Sequence, residues 1–168
     1  VPLSLASQIP SGTSGTCTIT CKTYNGSTLI GTKTVSFTAK VPSSVVPSIS
    51  SLTIAEAVSG LATKFGAYIQ NKSQAKVTIS ASGSYSSTIS SYKTTVSGKT
   101  YSGSSFTSGV LATSGTVTIE TTVTDSRGRT ATKSSTITVL AYTAPKITKF
   151  TAHFVGLSMG TIVIVNFA

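Results

Sequence analysis

One internal echo constrains this chain more than any other feature. Residues 13–19 read Thr-Ser-Gly-Thr-Cys-Thr-Ile, and residues 113–119 read Thr-Ser-Gly-Thr-Val-Thr-Ile, an offset of 100 (113 − 13). The likeness continues as pattern: a strand, a polar turn, a second strand, then a proline linker. The turns are Asn25-Gly26-Ser27 in one copy and Asp125-Ser126-Arg127-Gly128 in the other. Thr32-Lys33 and Thr132-Lys133 keep the same offset, and the linkers lead to Pro47–Thr53 and Pro145–Thr151, which alternate alike. A period of about 100 residues is the size of one immunoglobulin-like β-sandwich, and self-similarity at a fixed period is the mark of a tandem array. The expected fold is therefore all-β, with tandem immunoglobulin-like β-sandwich domains. Residues 1–44 read as the C-terminal part of one domain, 45–143 as a complete sandwich, and 144–168 as the first strand or strands of a further domain, or a tail.

Period-two alternation supports strands through the middle domain. Over 116–124, Val117, Ile119, Thr121 and Val123 share one face, and Thr118, Glu120, Thr122 and Thr124 share the other. Ile137 and Val139 repeat the pattern on the return strand. Val77, Ile79 and Ala81 form another inward set, and Leu52 and Ile54 supply the opening strand. Burying a large aliphatic side chain is worth about 1.5–3 kcal/mol, so Val117, Ile119, Val123, Ile137 and Val139 together contribute on the order of 10 kcal/mol gross. That hairpin reads as a stability centre. Asn25-Gly26 is a strong short-range hairpin signal. In the other turn, Asp125 can bond its own backbone two residues on, and Gly128 tolerates a positive φ. Leu61, Phe65 and Tyr68 are spaced as on a helix, which predicts a short helical turn within 55–71. The Ser/Gly/Tyr-rich stretch 83–108 predicts short strands alternating with loops.

Ser and Thr together number 61, and charged residues make up only 10% of the chain. Thr suits half-buried strand faces and Ser suits turns. Acids are limited to Glu56, Glu120 and Asp125, against 13 basic residues and a net charge of +10. Such a surface suits an anionic cell-wall polymer, nucleic acid or an acidic protein, or simply keeps copies apart in solution. Nucleic acid is disfavoured, because no recognised module or interleaved aromatic set accompanies the basic residues. The sequence opens at Val1 with no secretory signal pattern. The apolar stretch 156–168 is shorter than the ~20 residues a membrane-spanning helix needs, so no membrane span is expected.

The residues that could carry chemistry do not assemble into a reactive set. Cys17 and Cys21 lie four apart on one strand, about 13 Å in extended geometry, too far to form a disulfide with each other. Both fall on the face equivalent to Val117 and Thr121 and are expected in the core. His153 is the only histidine, which argues against a metal site and leaves serine chemistry one candidate base without an orienting acid. A glycosidase needs two facing carboxylates. Here Glu120 points outward from mid-strand, Asp125 sits in a turn and Glu56 lies in another segment. No phosphate-cradling glycine loop is followed by Lys-Ser/Thr. The expectation is a non-enzyme without cofactor or metal. Candidate surface or ligand contacts are Arg127, Arg129 and Lys133, clustered at one hairpin end, and Tyr85, Tyr92 and Tyr101 in the polar middle section. The arginines could dock a carboxylate or phosphate, or be no more than a solvated turn. The tyrosines could stack on sugars, or be partly buried core members. Asn25-Gly-Ser27 and Asn71-Lys-Ser73 match the glycosylation acceptor pattern, as chance predicts in so serine-rich a chain. Thr161-Ile-Val-Ile-Val165 is apolar and strand-prone, and calls for burial or pairing.

Several of these segments together resemble a family of structural proteins from tailed phages and prophages of Gram-positive bacteria. They are Ala6-Ser-Gln-Ile-Pro10, Gly15-Thr-Cys-Thr-Ile-Thr20, Thr23-Tyr-Asn-Gly26, Val41-Pro-Ser-Ser-Val-Val-Pro47, Tyr68-Ile-Gln-Asn-Lys-Ser73, Val123-Thr-Asp-Ser-Arg-Gly128 and Tyr142-Thr-Ala-Pro-Lys-Ile147. The resemblance spans residues 3 to about 152, and from Phe154 the chain departs from the pattern. It implies tandem immunoglobulin-like domains in a tail or baseplate component and brings no catalytic residues with it. The expected function is that of a non-enzymatic virion structural protein that aids host-surface attachment. Its expected partners are other virion tail proteins or copies of itself, and a host cell-surface glycan. Its expected place is the virion tail, after assembly in the host cytoplasm. The alternative is a carbohydrate- or cell-surface-binding module of a bacterial surface protein.

Overall fold

The computed structural model of the chain describes residues 2–147. His153, the apolar segment 161–165 and most of the further domain expected over 144–168 lie outside the described residues. The regular structure of the described residues is almost entirely β. After a short 3-10 helix (Leu3–Gln8), strands β1 (Ser14–Asn25) and β2 (Thr28–Lys40) pair as a long hairpin. A linker then leads to β3 (Ser48–Glu56), one helical turn α1 (Leu61–Phe65), β4 (Tyr68–Ile69), β5 (Gln74–Ser82), β6 (Ile89–Val96), β7 (Lys99–Ser102), β8 (Ser105–Val110), β9 (Gly115–Asp125) and β10 (Thr130–Leu140). The helical turn falls inside the 55–71 window where the spacing predicts it, and the 83–108 stretch divides into three short strands and loops.

Beyond Lys40 the strands form two sheets, β4-β10-β9-β6-β7 and β3-β5-β8. Their alternating residues meet in one core. Ala75, Val77 and Ile79 come from β5, Val96 from β6, Val117, Ile119 and Val123 from β9, and Val139 from β10. Leu52 and Ile54 of β3 and Ile137 of β10 pack against its margin. These are the inward sets that period-two alternation assigns, and the outward set of β9, including Glu120, is exposed or half-buried. Thr94 and Thr121 are fully buried within this apolar layer. They satisfy each other through an Oγ1–Oγ1 hydrogen bond of 2.9 Å, as buried hydroxyls must. The Tyr68-Ile-Gln-Asn-Lys-Ser73 segment has a structural reason for its composition. Asn71 takes a positive φ of 59°, and the buried Ser73 hydroxyl accepts the Ile69 N–H at 2.7 Å. The Gln70 side chain donates to the Ala112 carbonyl at 2.8 Å and accepts from the Tyr142 N–H at 3.2 Å. The segment thereby seats β4 beside β10, in parallel, through Val139↔Tyr68 and Leu140↔Ile69.

The β1–β2 hairpin stands differently. It is a two-stranded sheet by itself. The core placement expected for its two cysteines is overturned: Cys17 is half-buried and Cys21 exposed. The alternation is present, but no second sheet among the described residues covers the face it creates. Only one end of that face is closed, where Ile9 lies against Gly15 and the 3-10 helix meets Phe37 and Ala39 across an apolar crevice of about 140 Å³.

Candidate functional site

The residues with the densest polar connections lie at one pole of the two-sheet unit, where the β9–β10 turn meets the chain entering from the first hairpin. The turn is built by Asp125. Its Oδ1 accepts the backbone N–H of Arg127 and of Arg129, both at 2.9 Å. The Asp125 N–H donates to the Arg129 carbonyl at 2.8 Å, and the Gly128 N–H to the Asp125 carbonyl at 2.9 Å. Gly128 sits at φ 77°, a conformation that side-chain-bearing residues seldom adopt. The turn is thus locked from within, and residues two apart project arginines in fixed directions.

Arg127 is buried, at 7% exposure. Its Nε donates to the Ile9 carbonyl at 2.9 Å, Nη2 to the Ala6 carbonyl at 2.9 Å, Nη1 to the Ser84 carbonyl at 2.6 Å, and Nη2 also to the Tyr85 carbonyl at 2.6 Å. One guanidinium therefore ties the segment before β1 to the loop between β5 and β6. Arg129 does the same for the linker between β2 and β3. Its Nη2 donates to the Val41 carbonyl and its Nη1 to the Val45 carbonyl, each at 2.7 Å, and Nη1 also reaches the Pro42 carbonyl. Ser126 adds a bond from its hydroxyl to the Pro10 carbonyl at 2.6 Å, and the Ser84 hydroxyl donates to the Val46 carbonyl at 2.6 Å. Gly83 allows the β5–β6 loop to fold back this tightly, since a Cβ there would run into the Ser87 carbonyl. Ala6, Val41 and Val45 are buried together beneath these bonds, with Ile9 against them.

Electrostatically the site is a guanidinium enclosed by carbonyl dipoles, with the Asp125 carboxylate occupied by backbone N–H groups of the turn. A planar guanidinium offers five donors in a rigid fork, and hydrogen bonds from a charged donor are about twice as strong as neutral ones. Asp125 is 1% exposed, and its Oδ2 has no hydrogen-bond partner among the described residues. Chemically this arrangement fastens segments of chain together. The hydroxyls at the site, Ser84 and Ser126, are both committed to backbone carbonyls. Glu56 lies at the far end of β3, where its Oε1 accepts the Val58 and Gln74 N–H groups at 3.0 Å, and Glu120 is exposed on β9. Among the described residues no group of three or more His, Cys, Asp or Glu comes together as metal ligands would, and no helix is long and apolar enough to cross a membrane.

The six candidate contact residues do not form one patch. Arg127 is interior rather than solvated, and Arg129 is half-buried and bonded to the linker. Lys133 lies on β10, with its Nζ 3.2 Å from the Ser50 carbonyl of β3, bridging the two sheets. The Tyr101 ring stacks on Phe106 with centroids 4.6 Å apart, and its hydroxyl accepts the Gly109 N–H at 2.8 Å. Tyr92 packs against the main core. Of the three tyrosines only Tyr85 is substantially exposed, at 40%, and Lys133 is exposed as well. Sequence reasoning missed the partners of the arginines, which are backbone carbonyls and carry no side-chain signature. One signal was available: with 11 lysines supplying most of the positive charge, the chain's only two arginines both stand in this turn, at 127 and 129.

No curated protein matches the chain at a significant level. A sequence-family model does match, over residues 1–168, and its description is a siphovirus protein of unknown function. With the whole length matched and the all-β fold in view, the chain belongs to this siphovirus protein family.

Proposed function

We propose that the chain is part of the framework of a phage particle: a non-enzymatic virion protein that carries immunoglobulin-like β-sandwich units in a tail or baseplate component, joined stiffly enough to space or display the host-binding end. The observation that carries this reading is the arginine clasp. Arg127 and Arg129 fasten the β9–β10 turn to both stretches of chain that flank the first hairpin, so successive units are joined by a bonded junction instead of a free linker. Few other uses need such a junction, whereas a stacked fibre or spike does. Siphovirus family membership supports the particle assignment. The unit over 45–143 supports the immunoglobulin-like reading: two antiparallel sheets over one core, a short β4 running parallel to the last strand, and connections that pass between the sheets. On this reading residues 1–44 close one unit. The fitting partners are other tail proteins or further copies of this protein.

The test is mass spectrometry and immunogold labelling of purified particles with antibody raised against residues 45–143. Labelling at the tail or baseplate is the expected result. A protein abundant in infected cells but absent from washed particles would end the proposal.

A further inference from the structure

The first hairpin repeats the last one in register as well as in sequence. β1 pairs β2 through Cys17↔Phe37, Ile19↔Val35 and Cys21↔Lys33. β9 pairs β10 through Val117↔Ile137, Ile119↔Ser135 and Thr121↔Lys133. Adding 100 to both members of each first pair gives the second. The side chains match less closely than the pairing does, and that is informative. On β1–β2 the face bearing Cys17, Ile19, Val35 and Phe37 is apolar up to the Cys21–Lys33 pair, and the opposite face is Thr, Ser and Lys. In the later hairpin the equivalent face is the floor of the core, with Ile119 fully buried, and the free edge of β9 is taken by β6. Among the described residues the same face of β1–β2 is open, with Ile19 at 56% and Val35 at 61% exposure, and β1 has no neighbour on its other edge. A two-stranded ribbon with one bare apolar face is marginal in water by itself, and a long unpaired edge is a template for a further strand.

We infer that the Cys17–Ile19–Val35–Phe37 face is a docking surface for a β-sheet unit of this same repeat, one that lays a sheet like β3-β5-β8 on the face and a β6-like strand along the free edge of β1. The occupant is identified by what covers the equivalent face 100 residues later. A surface closed by small alternating aliphatics (Ala75, Val77, Ile79) in one copy fits the same kind of surface in the other. This inference deepens the proposed stacking of units and rests on it, but its test does not involve the phage particle.

The two cysteines of the chain make the test direct, because both sit on this face. In the 168-residue protein, maleimide should modify Cys17 and Cys21 readily. In a chain with residues 45–112 repeated ahead of Val1, which supplies the equivalents of β3 to β8, modification should slow by about 100-fold or more, since it must then await local opening, and denaturant should restore it. Hydrogen exchange on the added copy of β5 reads its folding separately. Fast thiols beside a protected added strand overturn the inference. So does an added segment that stays unprotected, because it has then failed to close on β1–β2. A 168-residue chain whose mass doubles in light scattering while its thiols become protected, with Val35→Asp reversing both, assigns the face to a second copy of itself and overturns the inference too. A particle-located protein whose thiols stay fast in the extended chain would leave the virion role standing and remove this one.

Discussion

Two hairpins of the same register, β1–β2 and β9–β10, meet different fates. Ile19 and Ile119 stand at equivalent points with the same alternation around them, yet one is 56% exposed and the other fully buried. The lysines that pair with Cys21 and Thr121 are both exposed, but Lys133 also reaches the β3 backbone. Alternation therefore encodes an amphipathic ribbon, and burial is conferred by whatever lies opposite. The turns differ in the reverse direction. Asn25-Gly26 only reverses the chain, whereas Asp125–Arg129 reverses it and also grips the neighbouring segments.

The sharpest way to break this comparison is to place a charge at the same point of each hairpin. Ile119→Asp puts a carboxylate in a site with no polar partner and should abolish folding of the 45–143 unit, since an unpaired buried charge costs several kcal/mol out of a total stability of about 5–15. Ile19→Asp should leave the main melting transition of the isolated chain within about 0.5 kcal/mol of wild type. Melting curves followed by circular dichroism check both. Equal losses would mean that β1–β2 is already packed in solution.

The same pair shows how much was legible in the sequence. The inward faces of β5, β9 and β10 could be read because their residues alternate as Val and Ile against Thr, and the core contains them. The helical turn at Leu61–Phe65 could be read from spacing. The cysteine placement could not, because a period-two pattern gives a face and never its cover. The clasp was half legible. The Asp125 turn follows from Asp and Gly chemistry, but the acceptors of Arg127 are carbonyls of Ala6, Ile9, Ser84 and Tyr85, brought together from positions more than 40 residues away. The tyrosines stayed open between surface contact and core for a related reason: composition places Tyr101 in a polar stretch, and only the fold brings Phe106 beneath its ring.

Removing the clasp sharpens the contrast between the turns. Arg127→Met keeps the apolar stem and deletes the guanidinium, leaving partly buried carbonyls without donors. With hydrogen bonds from a charged group worth about 1.5–3 kcal/mol, and with the remaining bonds able to relax, the expected loss is about 2–3 kcal/mol. It should come with faster proteolysis in the segment before β1, whose Ala6 and Ile9 carbonyls Arg127 holds. Arg127→Lys should recover little, because a single ammonium cannot span acceptors on two segments. A segment before β1 as resistant as wild type in both variants would show that the packing of Ala6 and Ile9 against Val41 and Val45 holds it without the guanidinium.

A smaller effect separates the cores. Thr121 is bonded to Thr94 in the buried layer, where the first hairpin has Cys21. Thr121→Val strands the Thr94 hydroxyl and should cost about 1–3 kcal/mol, whereas Thr94→Val with Thr121→Val removes both partners and should return most of it. Denaturant unfolding of the four proteins forms a double-mutant cycle. Additive losses would mean that the hydroxyls find other partners.

The smallest expected effect concerns the neighbouring strand that β10 has and, among the described residues, β2 lacks. Tyr68 of β4 lies opposite Val139, and burial, with a lesser contribution from the charge of Glu56, holds its hydroxyl above the usual value of 10.0. The folded state therefore favours the neutral phenol. Below pH 10 both folded and unfolded chains keep the proton, and stability does not respond. Above it the unfolded tyrosine ionises first, the native state binds more protons than the unfolded one, and stability falls as pH rises. Tyr68→Phe removes that dependence, so the stability difference between wild type and variant should shift in the variant's favour from pH 9 to pH 11. Taking the difference cancels the titration of lysines and the other tyrosines common to both proteins. A difference that stays flat across this range would mean that β4 has left the edge of β10 and that the second hairpin is as open on that side as the first.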